Sequence, residues 1–126
     1  MESLTAIIIA LNLVLSQLNI EEERLRVEIL QVEIMECESG GNKNAVNYQD
    51  ARITGYVSRG LYQFQLPSWY AAAKRYKIIP EDMTMDEAAE LYADPVYNAA
   101  AAHGLIKDGE THHWKNCMDR ITLASR

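Results

Sequence analysis

Proline and glycine are scarce in this 126-residue chain, three and six residues, and neither clusters. That excludes collagen-like, linker-like and low-complexity organisation. No repeat recurs at a period of 20–50 residues, so solenoids and propellers are excluded too. Cysteine is limited to Cys37 and Cys117. Two cysteines are too few for a disulfide scaffold and have no zinc spacing. They either pair or remain reduced. Bases are short as well: 12 Lys and Arg stand against 18 Asp and Glu, a formal net charge of −6. All of that deficit falls in residues 1–38, with eight acids and two bases; residues 39–126 balance at ten of each. A chain poor in cations is a poor partner for nucleic acid, where phosphate neutralisation supplies most of the affinity. His103, His112 and His113 match no metal-ligand spacing, so no metal and no cofactor are expected.

Charge is also missing at the start, where Glu2 is the sole early charged residue. Leu4 to Leu15 is nearly all apolar, broken by Thr5 and Asn12. The run is shorter than the ~20 residues of a membrane span. It lacks the basic lead-in and clear small-residue cleavage site of a secretory signal. The expectation is a buried first helix and no membrane span.

What is present is helical periodicity. Leu4, Ile7, Ile8, Leu11, Val14, Leu15 and Leu18 recur at helix spacing, so residues 3–18 read as a helix capped by Ser3. Asn19 reads as its stop or as the next N-cap. Residues 20–37 read as a second helix, with Leu25, Ile29 and Val32 on one stripe and Val27, Leu30 and Ile34 widening it, hence buried on more than one side. Ser39-Gly40-Gly41 ends it through a left-handed cap, leaving Glu38 in the last turn. Residues 42–60 are polar and turn-rich; Tyr48, Ile53 and Val57 suggest a short hairpin turning near Thr54-Gly55. Residues 61–65 read as the opening of another helix. Pro67 begins a helix to about Tyr76, with Trp69, Ala72, Ala73 and Tyr76 inward. Thr84 and Glu87 form a capping box for a helix to about Tyr92. Asp94-Pro95 starts the next, ending near Gly104 or Lys107, with a turn at Asp108-Gly109. Residues 111–124 form a last helix with Trp114, Cys117 and Met118 inward. The expected fold is mainly α, with one small irregular β segment, in a single domain over 1–126.

Glu38 is the residue with chemical promise. Cleaving a glycosidic bond needs a proton donor, and a carboxyl serves near neutral pH when burial favours its neutral form. A glutamate at the end of an apolar helix meets that condition. On its own, a Glu before a glycine reads as a surface residue. Around it, however, stand Glu38-Ser39-Gly40-Gly41-Asn42, Ala45-Val46-Asn47, Ser58-Arg59-Gly60-Leu61-Tyr62-Gln63-Phe64 and Ser68-Trp69.

These four pieces, in this order, resemble the lysozyme-like superfamily and its soluble lytic transglycosylase (SLT)-like domains. Such domains show a Glu-Ser pair at a helix end, an Asn-Ala-Val stretch, a Ser-x-Gly-Leu-x-Gln-Phe segment and a Thr/Ser-Trp. The resemblance covers residues 30–70 well and continues loosely to His113-Trp114 and Cys117. It implies a lysozyme-like fold built around a catalytic helix, with residues 1–19 as an added aliphatic helix. It implies cleavage of the β-1,4 bond between N-acetylmuramic acid and N-acetylglucosamine in peptidoglycan, with Glu38 as the catalytic acid. Ser58, Tyr62 and Gln63 are then expected at the glycan. Tyr97 is the nearest counterpart of the tyrosine in the family's Ala-Tyr-Asn-Ala-Gly segment, which is otherwise absent.

A two-carboxylate hydrolase needs a second acid within roughly 5–9.5 Å of the first. Asp50 is the one acid between residues 39 and 80 and so the local candidate; its plainer reading is a loop residue in a turn. Without it, Glu38 alone would act as acid and then base while the sugar's C6 hydroxyl closes a 1,6-anhydro ring. The family further implies an extracellular or periplasmic, monomeric protein. A bond between Cys37 and Cys117 suits such a compartment. The rival class is a non-catalytic glycan-binding or helical interaction protein that keeps the fold.

Overall fold

The computed structural model describes residues 3–124. Its first element is one helix, α1, spanning Leu4–Ser39. The expected pair of helices with a stop at Asn19 is therefore corrected. No Gly or Pro interrupts residues 4–39, and a mid-helix Asn costs only a few tenths of a kcal/mol. Ser3 caps the start by accepting from the Ala6 N–H at 3.2 Å. Ion pairs carry the helix through its charged middle: Arg24 with Glu21 and Glu28, Arg26 with Glu22. It ends at Gly40, left-handed at φ 63°, whose N–H returns to the Glu36 carbonyl.

The first half of α1 is exposed rather than buried, with Leu4, Leu11 and Leu18 at 73%, 57% and 58%. Leu25, Ile29 and Val32 are exposed too, so the helix does not bury several sides. It meets the core from Val27 onward, through Val27, Leu30 and the fully buried Ile34. The inward stripe is thus 27, 30, 34, a rotation of about 165° from the expected one, to nearly the opposite side of the helix.

Beyond α1, β1 (Val46–Asn47) pairs antiparallel with β2 (Ser58–Arg59), matching Val46 to Arg59 and Asn47 to Ser58. The strands differ from the expected hairpin. Residues Ala51–Thr54 form a short helix, α2, closed by left-handed Gly55, and Tyr48 and Ile53 point to solvent. Residues 61–65 form a tight turn, not a helix start: Arg59 and Phe64 pair across it and Gln63 adopts φ 53°.

Then come α3 (Leu66–Arg75), α4 (Met85–Ala88), α5 (Pro95–Lys107), a 3-10 turn at His112–Trp114 and α6 (Lys115–Ala124). Helix α4 is shorter than expected. Its capping box is present, but after Ala88 the chain closes tight turns, Leu91 N–H to Ala88 O and Asp94 N–H to Leu91 O. Asp94 must leave helical geometry because Pro95 follows, and its side chain caps α5 through the Val96 and Tyr97 N–H groups. Helix α3 packs on α5, and α1 packs on α5 and α6. Trp69, Ala72, Ala73 and Trp114 are buried as expected. Cys37 and Cys117 are bonded, tying α1 to α6.

One polar side chain sits at the centre. Asn98, on α5, is fully buried. Its Oδ1 accepts from Tyr62 N–H, and its Nδ2 donates to the Arg59 and Tyr92 carbonyls. Burial without those bonds would be costly. With them, one helix residue fixes the turn after β2.

Candidate active site

The end of α1, the β1–β2 pair and the start of α6 enclose a cleft of about 420 Å³. Glu38, Asp50, Ser58 and Gln63 all line it, with Asn47, Gln65, Ser68, His113 and Asn116. Its walls are almost entirely polar, which suits a hydroxyl-rich ligand over an apolar one.

Glu38 is half-buried in the last turn of α1, its backbone fixed by the cap at Gly40. Its carboxyl is pushed above the ordinary value of 4.5, first by burial and then by the negative charge of Asp50. Arg120, on α6, pulls the other way. Desolvation disfavours the charged carboxylate, and a like charge adds to that.

Asp50 leads into α2 and is half-buried. The Ser58 hydroxyl donates to its Oδ2 at 2.5 Å. This bond follows from sheet register: Ser58 sits opposite Asn47 on a paired strand, three residues before Asp50. Ser58 is itself buried, so the contact orients Asp50 from inside the fold.

Gln63 holds the cleft floor together. Its Nε2 donates to the Ala45 carbonyl at 3.1 Å and the Gly60 carbonyl at 2.9 Å. Gly60 also donates its own N–H to Ala45 O. At φ 86°, a Cβ on Gly60 would lie 2.6 Å from Asn98 Nδ2, so glycine is required by both backbone and space.

Two expected site residues lie elsewhere. Tyr62 is in the core at 3% exposure, its hydroxyl donating to the Gln31 carbonyl, and it does not line the cleft. Tyr97 is partly buried against the core, and its carbonyl accepts from Trp69 Nε1; it is not on the cleft wall either.

His113 and Asn116 were not legible as site residues. His113 stacks on His112 at 4.4 Å between ring centres. Burial, then the neighbouring His112, pushes its pKa down, against Glu110. The one sequence hint was its place beside Trp114, whose indole N–H donates to Tyr62 O. Among the described residues, no group of three or more His, Cys, Asp or Glu is placed to hold a metal ion.

Comparison with known proteins finds no matching family model, no matching curated protein and no matching solved structure.

Proposed function

We propose that this chain is a lysozyme-like glycosidase that cleaves the β-1,4 bond between N-acetylmuramic acid and N-acetylglucosamine in peptidoglycan. The observation that carries the reading is the carboxyl of Glu38, raised by burial and by Asp50, in a polar cleft that both acids share. In this reading Glu38 is protonated at the pH of work and donates to the leaving glycosidic oxygen. The positive charge that grows on the sugar ring faces Asp50. Ser58 keeps that carboxylate aimed at the cleft. Two carboxylates on one cleft favour hydrolysis over the single-acid route to a 1,6-anhydro sugar. The Cys37–Cys117 bond fits an oxidising compartment outside the cytoplasm, where the wall polymer lies.

The test is turbidity loss of purified cell walls with the wild-type chain and with Glu38→Gln. The variant keeps shape and cannot donate, so a loss of about 10²–10⁴ is expected. Equal rates would remove Glu38 from the mechanism. No clearing by either would favour a glycan-binding module instead. Mass spectrometry of the products should show reducing ends; 1,6-anhydro ends would place Asp50 outside the chemistry.

A further inference from the structure

Among the described residues, the exposed half of α1 packs on no part of the core. Between Glu2 and Glu21 there is no charged residue, an uncharged run of 18. The helix carries that run outside the core: Ile8, Ile9, Leu13 and Leu15 are 49%, 56%, 67% and 57% exposed, and the helix first packs on the core at Val27. Successive residues turn by about 100°, so Leu13, Val14 and Leu15 face three directions. The polar residues Thr5, Asn12, Ser16 and Asn19 share one narrow stripe, and Gln17 reaches down to Glu21.

This pattern discriminates between occupants. A helix meant for a second copy of the chain, or for a groove, shows one apolar stripe and a polar opposite face. Here the opposite face is aliphatic as well. A helix lying flat on a lipid surface has a strongly charged face, and this segment has no charge. Lipid on every side satisfies it. The seventeen helical residues 4–20 at 1.5 Å each give about 26 Å, close to the ~30 Å hydrocarbon core of a bilayer. The charged turn Glu21-Glu22-Glu23-Arg24 then begins where the apolar run stops.

We infer that residues 4–20 span a lipid bilayer and that α1 is one unbroken rod joining this span to the cleft. The expectation of a buried first helix is thereby replaced. The disulfide places the domain on the oxidising side of the membrane. From Ile20 to Glu38 the rod runs 18 residues, about 27 Å, so Glu38 is held at a set height above the lipid. What that height serves rests on the proposed glycosidase activity; the span itself does not.

The experiment is cell-free synthesis of the full chain with phosphatidylcholine vesicles, followed by flotation and alkaline carbonate washing. Wild type and Glu38→Gln should both float and resist the wash, which separates the span from the activity. Leu11→Arg and Leu15→Arg, each at an exposed position, should cut the carbonate-resistant fraction at least tenfold, while Leu11→Ile should match wild type. A wild-type chain that stays soluble, as monomer or as dimer, overturns the inference. So does floated protein that carbonate releases. Intact mass of the protein recovered from cells must include residues 4–20; a mature chain lacking them would mark the segment as a removed leader and overturn the span.

Discussion

Replacing Gly60 with alanine tests how the cleft is held in shape. Two costs arise. At φ 86° an L residue sits in the left-handed region, worth about 1–2 kcal/mol. The new Cβ would also stand 2.6 Å from Asn98 Nδ2 and 2.9 Å from its Cγ. Asn98 cannot swing aside freely, because three hydrogen bonds hold it in full burial. Weakening one or two of them adds about 1–3 kcal/mol. Gly60→Ala should therefore cost about 2–5 kcal/mol, a large share of the stability of a domain this size. The two parts separate in a double-mutant cycle with Asn98→Ala, which removes every Asn98 atom the Cβ would meet. In that background Gly60→Ala should cost only the backbone part, about 1–2 kcal/mol. Urea unfolding followed by circular dichroism measures all four chains, with a stabilising osmolyte in each arm to keep the weakest folded. An equal loss in both backgrounds would refute the packing argument and leave backbone strain as the whole effect.

Other outcomes follow from the charges and the crosslink. Activity should fall as pH rises through the Glu38 pKa, since the acid must hold its proton. Asp50→Asn removes one cause of the elevation, so the falling limb of its residual activity should move to lower pH; Arg120→Met should move the limb higher. Glu38 also links folding to pH. Its folded pKa lies above 4.5, so the unfolded chain releases the proton first as pH rises. Stability should therefore decline from about pH 4.5 up through the folded value and then level off, whereas Glu38→Gln should lack that decline in urea titrations at a series of pH values. Reducing Cys37–Cys117 opens a loop with a sequence separation of 80 and should cost about 4–5 kcal/mol by loop-closure entropy; an unchanged urea midpoint under dithiothreitol would argue against it.

Helix starts and the residues of the cleft are readable because they rest on local chemistry. Ser3, Thr84 and Asp94 are caps in sequence and in space. Glu38 beside Gly40, and Ser58 with Gln63 in one segment, were recognisable as an ordered set, and the fold brings them to one cleft. What failed was periodicity without a partner. The stripe through Leu4 and Leu18 says that the segment wants an apolar environment, not that the protein supplies it. A sequence also cannot rank the stripes of a helix that is apolar nearly all round, so nothing local distinguishes the exposed Val32 from the fully buried Ile34. Tyr62 and Tyr97 carry the right chemistry for sugar, and long-range packing turned them inward. Asn98 is the converse: a polar residue in an alanine-rich helix gives no local sign that three elements will converge on it.

The bond between Cys37 and Cys117 has a mechanical consequence. Glu38, Asp50, Ser58, Gln63, His113 and Asn116 all lie on the stretch of chain between the two cysteines. Tension entering along α1 and leaving through α6 would cross from one sulfur to the other. The intervening residues would carry none of it along their backbone. Pulled from both ends, the oxidised protein should lengthen only by residues outside that ring, and the cleft should keep its shape under loads that would unravel the reduced form.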